Sequence, residues 1–286
     1  DGIATERIFL HQYKEAQKRG MVKLIKAYSM YALTQVEEER NGCHFDEDTA
    51  RDESNILNQQ TLPILDIIAP IAAKYWDTRL PPFAVGSSEQ CSILLFGGPK
   101  KAVVKKATGD RYGPKAARAG QLKYKNVPVV VQVEGLGVKP SPGTKGKKEG
   151  IYSIPDVKLL ELAESKDKDI SSLCSSIIEY RKLKKLISTY YEGSLKFLRG
   201  NLIHHSYNNC DVDTGRLSCT AINAQNQPSN VKHLFTSRYG DEGMIVEFDF
   251  SQLEVVVQAW LADCPKMLKD IHNGIDFHCK RLAYAE

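Results

Sequence analysis

The chain has 286 residues, 42% of them hydrophobic, and a net charge of +4. That length suits two or three structural units, and the apolar content supports real cores and excludes wholesale disorder. No run is long and apolar enough to span a membrane, and Asp1-Gly2-Ile3-Ala4-Thr5 has neither the basic nor the apolar part of a signal peptide. Cys43, Cys91, Cys174, Cys210, Cys219, Cys264 and Cys279 are scattered and form no C-x-x-C pair. A zinc site or disulfide framework is therefore not expected, and a reducing cytoplasm is the expected setting. The net charge alone is too small to imply nucleic acid. Its distribution says more.

The first forty residues read as two helices. Phe9, Tyr13 and Ala16 lie at helical spacing in the first, and Leu24, Ile25, Tyr28, Tyr31 and Ala32 in the second, with Gly20 at the break. Asn41-Gly42 reads as a helix stop. Asp46 is placed to cap a third helix carrying Ile56, Leu62, Ile64, Leu65, Ile68 and Ile71, which Pro63 and Pro70 are expected to kink or divide.

From Pro99 to Lys148 the composition shifts to thirteen Lys/Arg against two acidic residues, Asp110 and Glu134. Asn126 to Glu134 reads as a strand, with another near Val103-Val104. Two readings of this insertion, 99–148, stand side by side. One is a solvated, lysine-rich loop. The other is a basic finger that grips phosphate backbone, with Lys100, Lys101, Lys105 and Lys106 among its DNA-binding side chains. After Pro155, helical spacing returns near 156–165 and again near 171–199. Leu202 to Tyr207 then reads as a short strand, followed by a polar segment to Asn230. Met244 to Phe250 reads as another strand, with a helix directly after it carrying Leu253, Val256, Val257, Trp260 and Leu261.

The strand–Asp–helix unit centred on Asp249 carries the most chemistry. A carboxylate held where a buried strand leaves a sheet suits a hard divalent cation such as Mg2+. A second carboxylate is needed to hold two ions about 3.5–4 Å apart for in-line phosphoryl displacement. By shape alone, however, an Asp in this position is more often a helix N-cap than a catalyst. Farther on, Asn273-Gly274 ends one helix and Asp276 caps the next. That puts His278 in a first helical turn, where anions are favoured.

The neighbours of Asp249 extend the pattern. Asp249-Phe250-Ser251-Gln252-Leu253-Glu254 resembles motif A of the family A, DNA polymerase I-like, DNA polymerases. Gly274-Ile275-Asp276-Phe277-His278 is similar to a downstream block of that family. Upstream, Thr214-Gly215-Arg216-Leu217-Ser218, Asn223-Ala224-Gln225-Asn226-Gln227-Pro228, Ile203-His204-His205-Ser206-Tyr207-Asn208 and Glu179-Tyr180-Arg181-Lys182-Leu183 resemble further blocks, in family order.

The resemblance implies an α+β fold: part of a right-hand polymerase, with a helical thumb and part of an antiparallel palm sheet. It implies a helical region over 1–80, which includes a possible tail of a 3′–5′ exonuclease domain at Asp1. A thumb-like unit with the basic insertion would span 81–199, and a palm portion leading into the fingers would span 200–286. The implied reaction is template-directed addition of dNTPs to a primer 3′-OH, with two Mg2+ ions.

In that scheme Asp249 is catalytic and binds metal, aided by the Phe250 backbone carbonyl. Gln252, Leu253, Glu254 and His278 meet the dNTP, with Glu254 as the gate against ribose. Thr214, Arg216, Asn223, Gln225 and Asn226 contact DNA. An Arg in the minor groove checks pair geometry without reading sequence, because the acceptors there look alike. Phe250, Val256 and Trp260 depart from the residues usual at their positions, so packing behind Asp249 is expected to differ. No family role transfers to the insertion.

The fingers helix and the second metal-binding motif are not found in these residues. The expectation is therefore a second polypeptide, a partner supplying fingers and the rest of the palm, or an excerpt of a longer enzyme, phage-like in character. Two rivals stand beside this reading: a non-catalytic DNA-binding subunit of a replication complex, and a single-subunit RNA polymerase. Glu254 speaks against the second.

Overall fold

The computed structural model describes residues 1–113, 117–118, 120–146 and 150–283, and two compact units divide at Arg238. The architecture is α+β with antiparallel sheets. Two helices open the first unit, α1 (Gly2–Lys18) and α2 (Val22–Asn41), broken at Gly20 as the periodicity anticipates. Strand β1 (Cys43–Phe45), too short to leave a sequence signature, follows α2.

Asp46 then caps α3 (Glu47–Tyr75), its carboxylate accepting the Thr49 backbone N–H at 3.0 Å. The 29-residue α3 contains both Pro63 and Pro70 and is not divided by them. Each proline removes one backbone hydrogen bond. Against that loss, Ile64, Ile68, Ile71 and Ala72 bury one face of the helix, and each large aliphatic side chain contributes roughly 1.5–3 kcal/mol by burial. Packing outweighs the local defect.

Helix α4 (Ser88–Phe96), capped by Ser87, leads into the basic insertion. The part of the insertion described is a β-ribbon, β2 (Gly98–Arg111) paired antiparallel with β3 (Leu122–Val133). Ala102, Val131 and Val133 at its base enter a core built with α3, α4, α5 (Asp156–Ala163) and α6 (Lys168–Lys185).

The long helix expected near 171–199 is present as one helical run, Lys168–Leu195, but is not uniform. It leaves α-geometry after Lys185, continues as a π-turn over Leu186–Tyr191, and ends with α7 (Glu192–Leu195). The wider turn carries Ile187 and Tyr191, both buried. Tyr191 joins Phe45, Ala50, Ile203, Ile222, Val231 and Leu234 in a second core.

A four-stranded antiparallel sheet borders that core in the order β4 (Leu198–Arg199), β5 (Leu202–Ile203), β1, β8 (Phe235–Thr236). The single strand expected over 202–207 is two. β5 joins this sheet, whereas β6 (Ser206–Asn208) pairs with β7 (Ser218–Thr220) in a separate hairpin. His204 and His205 make the break. Their Nδ1 atoms bond the carbonyls of Glu39 (2.7 Å) and Ile222 (2.8 Å), holding the chain between the two sheets.

The second unit, from Tyr239, contains α8 (Leu253–Leu261), α9 (Pro265–His272) and α10 (Phe277–Ala283). Met244–Phe250, expected as a buried strand, has no strand partner among the described residues. Met244 is 82% exposed and Phe248 88%. An apolar run becomes a strand only when a neighbouring edge takes up its N–H and C=O groups. No described strand does so here.

The root of the ribbon is fixed by a close crossing of two backbone turns. Gly97 and Gly135 both have positive φ, +77° and +68°, and a methyl on Gly135 would stand 2.5 Å from the Gly97 nitrogen and 2.8 Å from the Ile93 carbonyl. Leu136 N–H donates to Leu94 C=O at 2.9 Å across the same point. Gly135→Ala is expected to lower unfolding stability by at least about 2 kcal/mol, through strain and backbone clash. A urea titration checks this, and an unchanged midpoint would contradict the tight crossing.

Candidate functional site

In the first unit, five residues expected to contact DNA fall on two adjacent turns. Thr214 and Arg216 lie exposed in the loop of the β6–β7 hairpin, whose register pairs Ser206 with Thr220 and Asn208 with Ser218. Asn223, Gln225 and Asn226 follow in a short 3-10 turn, all exposed. Asn223 caps that turn, its side-chain oxygen accepting the Gln225 N–H at 3.0 Å, while Gln227 Nε2 donates to the Asn223 carbonyl at 2.9 Å. Asn223 thus has a structural task as well as an exposed amide. Ile222, buried in the second core, fixes the connection between the two turns.

Helix α2 holds the hairpin from behind. Tyr28 Oη donates to the Gly215 carbonyl at 3.1 Å, and Asn209 Nδ2 donates to the Tyr28 carbonyl at 3.3 Å. Gly215 has φ +71°, and a methyl there would stand 2.7 Å from the Tyr28 hydroxyl, so any side chain at this position strains the turn and displaces Tyr28. Farther along α2, Glu39 Oε1 accepts the Tyr207 N–H at 2.6 Å. Burial pushes the Tyr207 phenol up to about 12. Tyr28 and Glu39 were not legible as site residues, because a tyrosine or glutamate at helical spacing reads as ordinary core or surface.

In the second unit, Asp249 is exposed at the end of the extended segment, and its Oδ1 accepts the N–H of the next residue, Phe250, at 2.8 Å. Gln252, at φ +51°, turns the chain into α8. Its Oε1 accepts the Phe277 N–H at 3.2 Å, which ties the start of α8 to the start of α10. Gln252 therefore brackets the two motif-bearing turns. Leu253 and Glu254 occupy the first turn of α8 and line a groove with Val257, Gln258, Leu261 and Ala262. Asp276 caps α10 as expected, its Oδ1 accepting the Cys279 N–H at 2.9 Å. The side chain of His278 lies outside the described residues.

The donors at Asp249 have the right chemistry for Mg2+, a carboxylate and a neighbouring carbonyl, but not the number to hold an ion alone. Among the described residues no group of three or more His, Cys, Asp or Glu side chains gathers in metal-binding geometry. Thiol chemistry has no support in the core. Burial pushes Cys91 up to about 11 and Cys174 up to about 12, so both behave as small hydrophobes.

Of the ribbon lysines, Lys101, Lys105 and Lys106 are exposed, whereas Lys100 is engaged at the root by an ion pair with Glu89 at 2.5 Å. Its charge is already matched there.

The match to solved structures gives the same fold: the POL domain of Pol1 from M. smegmatis, in complex with DNA primer-template and dNTP, superposes with a TM-score of 0.58 at 18% identity, covering 86% of this chain and 35% of that one. The model of DNA polymerase family A matches residues 125–284, and the chain belongs to that family.

Curated relatives include the DNA polymerase of Bacillus phage SP01, 34% identical over 121 residues, or 38% of this chain and 13% of the relative. DNA polymerase I of Bacillus subtilis (strain 168) is 32% identical over 159 residues, or 53% of this chain and 17% of the relative. The alignments thus span less than a fifth of either relative.

Glu39→Ala leaves the Tyr207 N–H without its acceptor and is expected to cost about 1–3 kcal/mol. Glu39→Gln keeps an acceptor and should cost far less. Chemical denaturation of both, with hydrogen exchange at Tyr207, checks the ranking; equal losses would show that the hydrogen bond does not hold the hairpin.

Proposed function

We propose that this chain forms the thumb and part of the palm of a DNA-directed DNA polymerase that adds dNTPs to a primer 3′-OH under template direction. In this reading 1–80 is a helical lead-in, 81–199 the thumb with its ribbon, and 200–286 the palm portion running toward the fingers. One observation carries it. Asp249, Gln252, Leu253 and Glu254 sit in motif order where an extended segment becomes α8, and Gln252 binds the start of α10 to that same turn.

Asp249 supplies a hard carboxylate oxygen and Phe250 a backbone carbonyl. Two Mg2+ ions, when bound, supply charge neutralisation at the transferred phosphate and activation of the attacking hydroxyl. A further carboxylate must join Asp249 for that, and we assign it to polypeptide outside residues 1–286, in a partner chain or in the same one. Glu254, in the first turn of α8, is assigned as the gate that disfavours a 2′-hydroxyl. His278 is assigned to the triphosphate, with Gln252 and Leu253 beside it.

Arg216 and Thr214, on a hairpin tip braced by Tyr28, are assigned to the primer duplex together with Asn223, Gln225 and Asn226. A minor-groove Arg suits an enzyme that must accept every correct base pair, since the acceptors it meets there do not distinguish sequence. No helix among the described residues is long and apolar enough to cross a membrane. The cytoplasm of a bacterium or a phage-infected cell is the proposed setting.

The test is primer extension with the chain in its complete assembly. Asp249→Ala is expected to remove extension while primer-template binding stays within about 3-fold, on the order of 0.7 kcal/mol. Extension that survives this change would assign the metal elsewhere, and a wild type that binds DNA without extending it would favour the non-catalytic subunit. Glu254→Ala is expected to raise ribonucleotide use relative to deoxynucleotide use. No change in that ratio removes Glu254 from the gate. Intact-mass analysis of the purified assembly shows whether a second chain accompanies this one.

A further inference from the structure

We propose that the outer half of the β2–β3 ribbon is a sequence-independent clamp for the phosphate backbone of duplex DNA. The inference deepens the polymerase reading, on which it rests for its ligand: the duplex that synthesis produces. The family motifs say nothing about this insertion.

The ribbon has two halves with different surroundings. At its base, Ala102, Val131 and Val133 are buried in the first core, and Lys100 pairs with Glu89. Beyond the Val104–Val127 pair the core contacts end, and Lys105, Lys106, Arg111, Arg118, Lys123 and Lys125 are all exposed. Asp110 is the single carboxylate among the described residues between Lys105 and Lys125. The seven positions from Lys105 to Arg111 carry this charge roughly 20 Å outward at about 3.3 Å per residue.

The register makes the arrangement more specific than a charged loop. Lys106 stands directly opposite Lys125, and because side chains alternate along a strand, Lys123 lies on the same face. Like charges directly opposite one another destabilise a ribbon. Edge protection alone, a usual task of lysines on an open ribbon, needs no such pair. A stripe of polyanion, by contrast, relieves it.

Nearer the tip, Arg111 Nη1 donates to the Gly120 carbonyl at 2.6 Å and Lys123 Nζ stands 5.8 Å from the centre of the Tyr112 ring. These contacts brace the end of the ribbon. The root is braced too, by the Gly97–Gly135 crossing. The result is a cationic arm anchored at its root.

A duplex presents one negative charge per about 1.7 Å of axis, and each phosphate a protein neutralises releases counterions with a salt slope of about −0.9. Phosphate contacts position a protein without reading sequence. Lysine, a compact and strongly hydrated point charge, suits that task. Such an arm follows the duplex behind the primer terminus and slows its release.

The experiment is fluorescence anisotropy of the full 286-residue chain with labelled blunt duplex over a salt series. Lys106, Lys123 and Lys125 are replaced together by Ala and, separately, together by Arg. The Ala variant is expected to bind roughly tenfold or more weakly at low salt, with a salt slope shallower by about 3; the Arg variant is expected to bind like the wild type.

An unchanged slope in the Ala variant overturns the clamp. Should the Ala variant fail the circular-dichroism check on folding, the charge is tested instead by Lys106→Glu and Lys125→Glu, made one at a time, each of which must weaken binding. Displacement of labelled duplex by poly-glutamate as readily as by unlabelled duplex also overturns it, in favour of an acidic protein partner.

The polymerase reading is scored apart from this, by the preference for a recessed primer end over blunt duplex. Equal loss of affinity for both DNAs in the Ala variant, with that preference intact, is the result expected of a clamp. A wild type without the preference counts against the polymerase reading and leaves the clamp standing.

Discussion

One helix ties the first unit together. α3 runs about 43 Å at 1.5 Å per residue, and it contributes Ala50 to the second core and Ile64, Ile68, Ile71 and Ala72 to the first. Three polar ties fix it to the α6–α7 segment along this length. Tyr191 donates to Glu53 at 2.9 Å, Lys184 to Asn58 at 3.0 Å, and Lys74 pairs with Asp169 at 2.8 Å. The Lys74 pair is exposed at its lysine and contributes little on its own. Tyr191 is different. Its phenol is pushed up to about 12, first by burial and then by Glu53, so it stays a donor throughout the physiological range. The constraint is continuity. Were α3 divided at Pro63 or Pro70, the two cores would lose their common wall.

The candidate nucleic-acid surface inherits its order from this frame. The second core buries Ile203 and Ile222, the residues that bracket the β6–β7 hairpin. α2 then sets the height of the hairpin through Glu39 and Tyr28. Arg216 and Thr214 need no contacts of their own with the core to be well placed. Their backbone is held at Tyr207, Gly215 and Ile222. The second unit follows the same logic on a smaller scale, with Gln252 joining two helix starts by one hydrogen bond.

Much of this is legible in the sequence. The helical pattern of the first forty residues, the break at Gly20, the cap at Asp46 and the cap at Asp276 are all present, because each depends on residues within one or two turns. The ribbon strand at Asn126–Glu134 was legible from its run of β-branched residues, and its partner near Val103 only by position. The failures have one cause. Met244–Phe250 has the composition of a strand, but pairing is a property of a neighbour and not of the run itself. The histidine break within 202–207, the π-turn after Lys185 and the survival of α3 through two prolines likewise depend on groups far away in sequence.

Sequence by itself determined the family, the order of the motifs and the chemical identity of the side chains, since these reside in residue types at fixed spacing. Tertiary structure alone decided that Lys100 spends its charge on Glu89 while Lys105, Lys106 and Lys125 stand clear of the core, and that Tyr28 and Glu39 brace the hairpin. The physical reason is distance along the chain: Tyr28 meets Gly215 across 187 positions, and no local pattern encodes such a contact. Folding selects it because the hydroxyl reaches the carbonyl only once α2 and the hairpin are brought together.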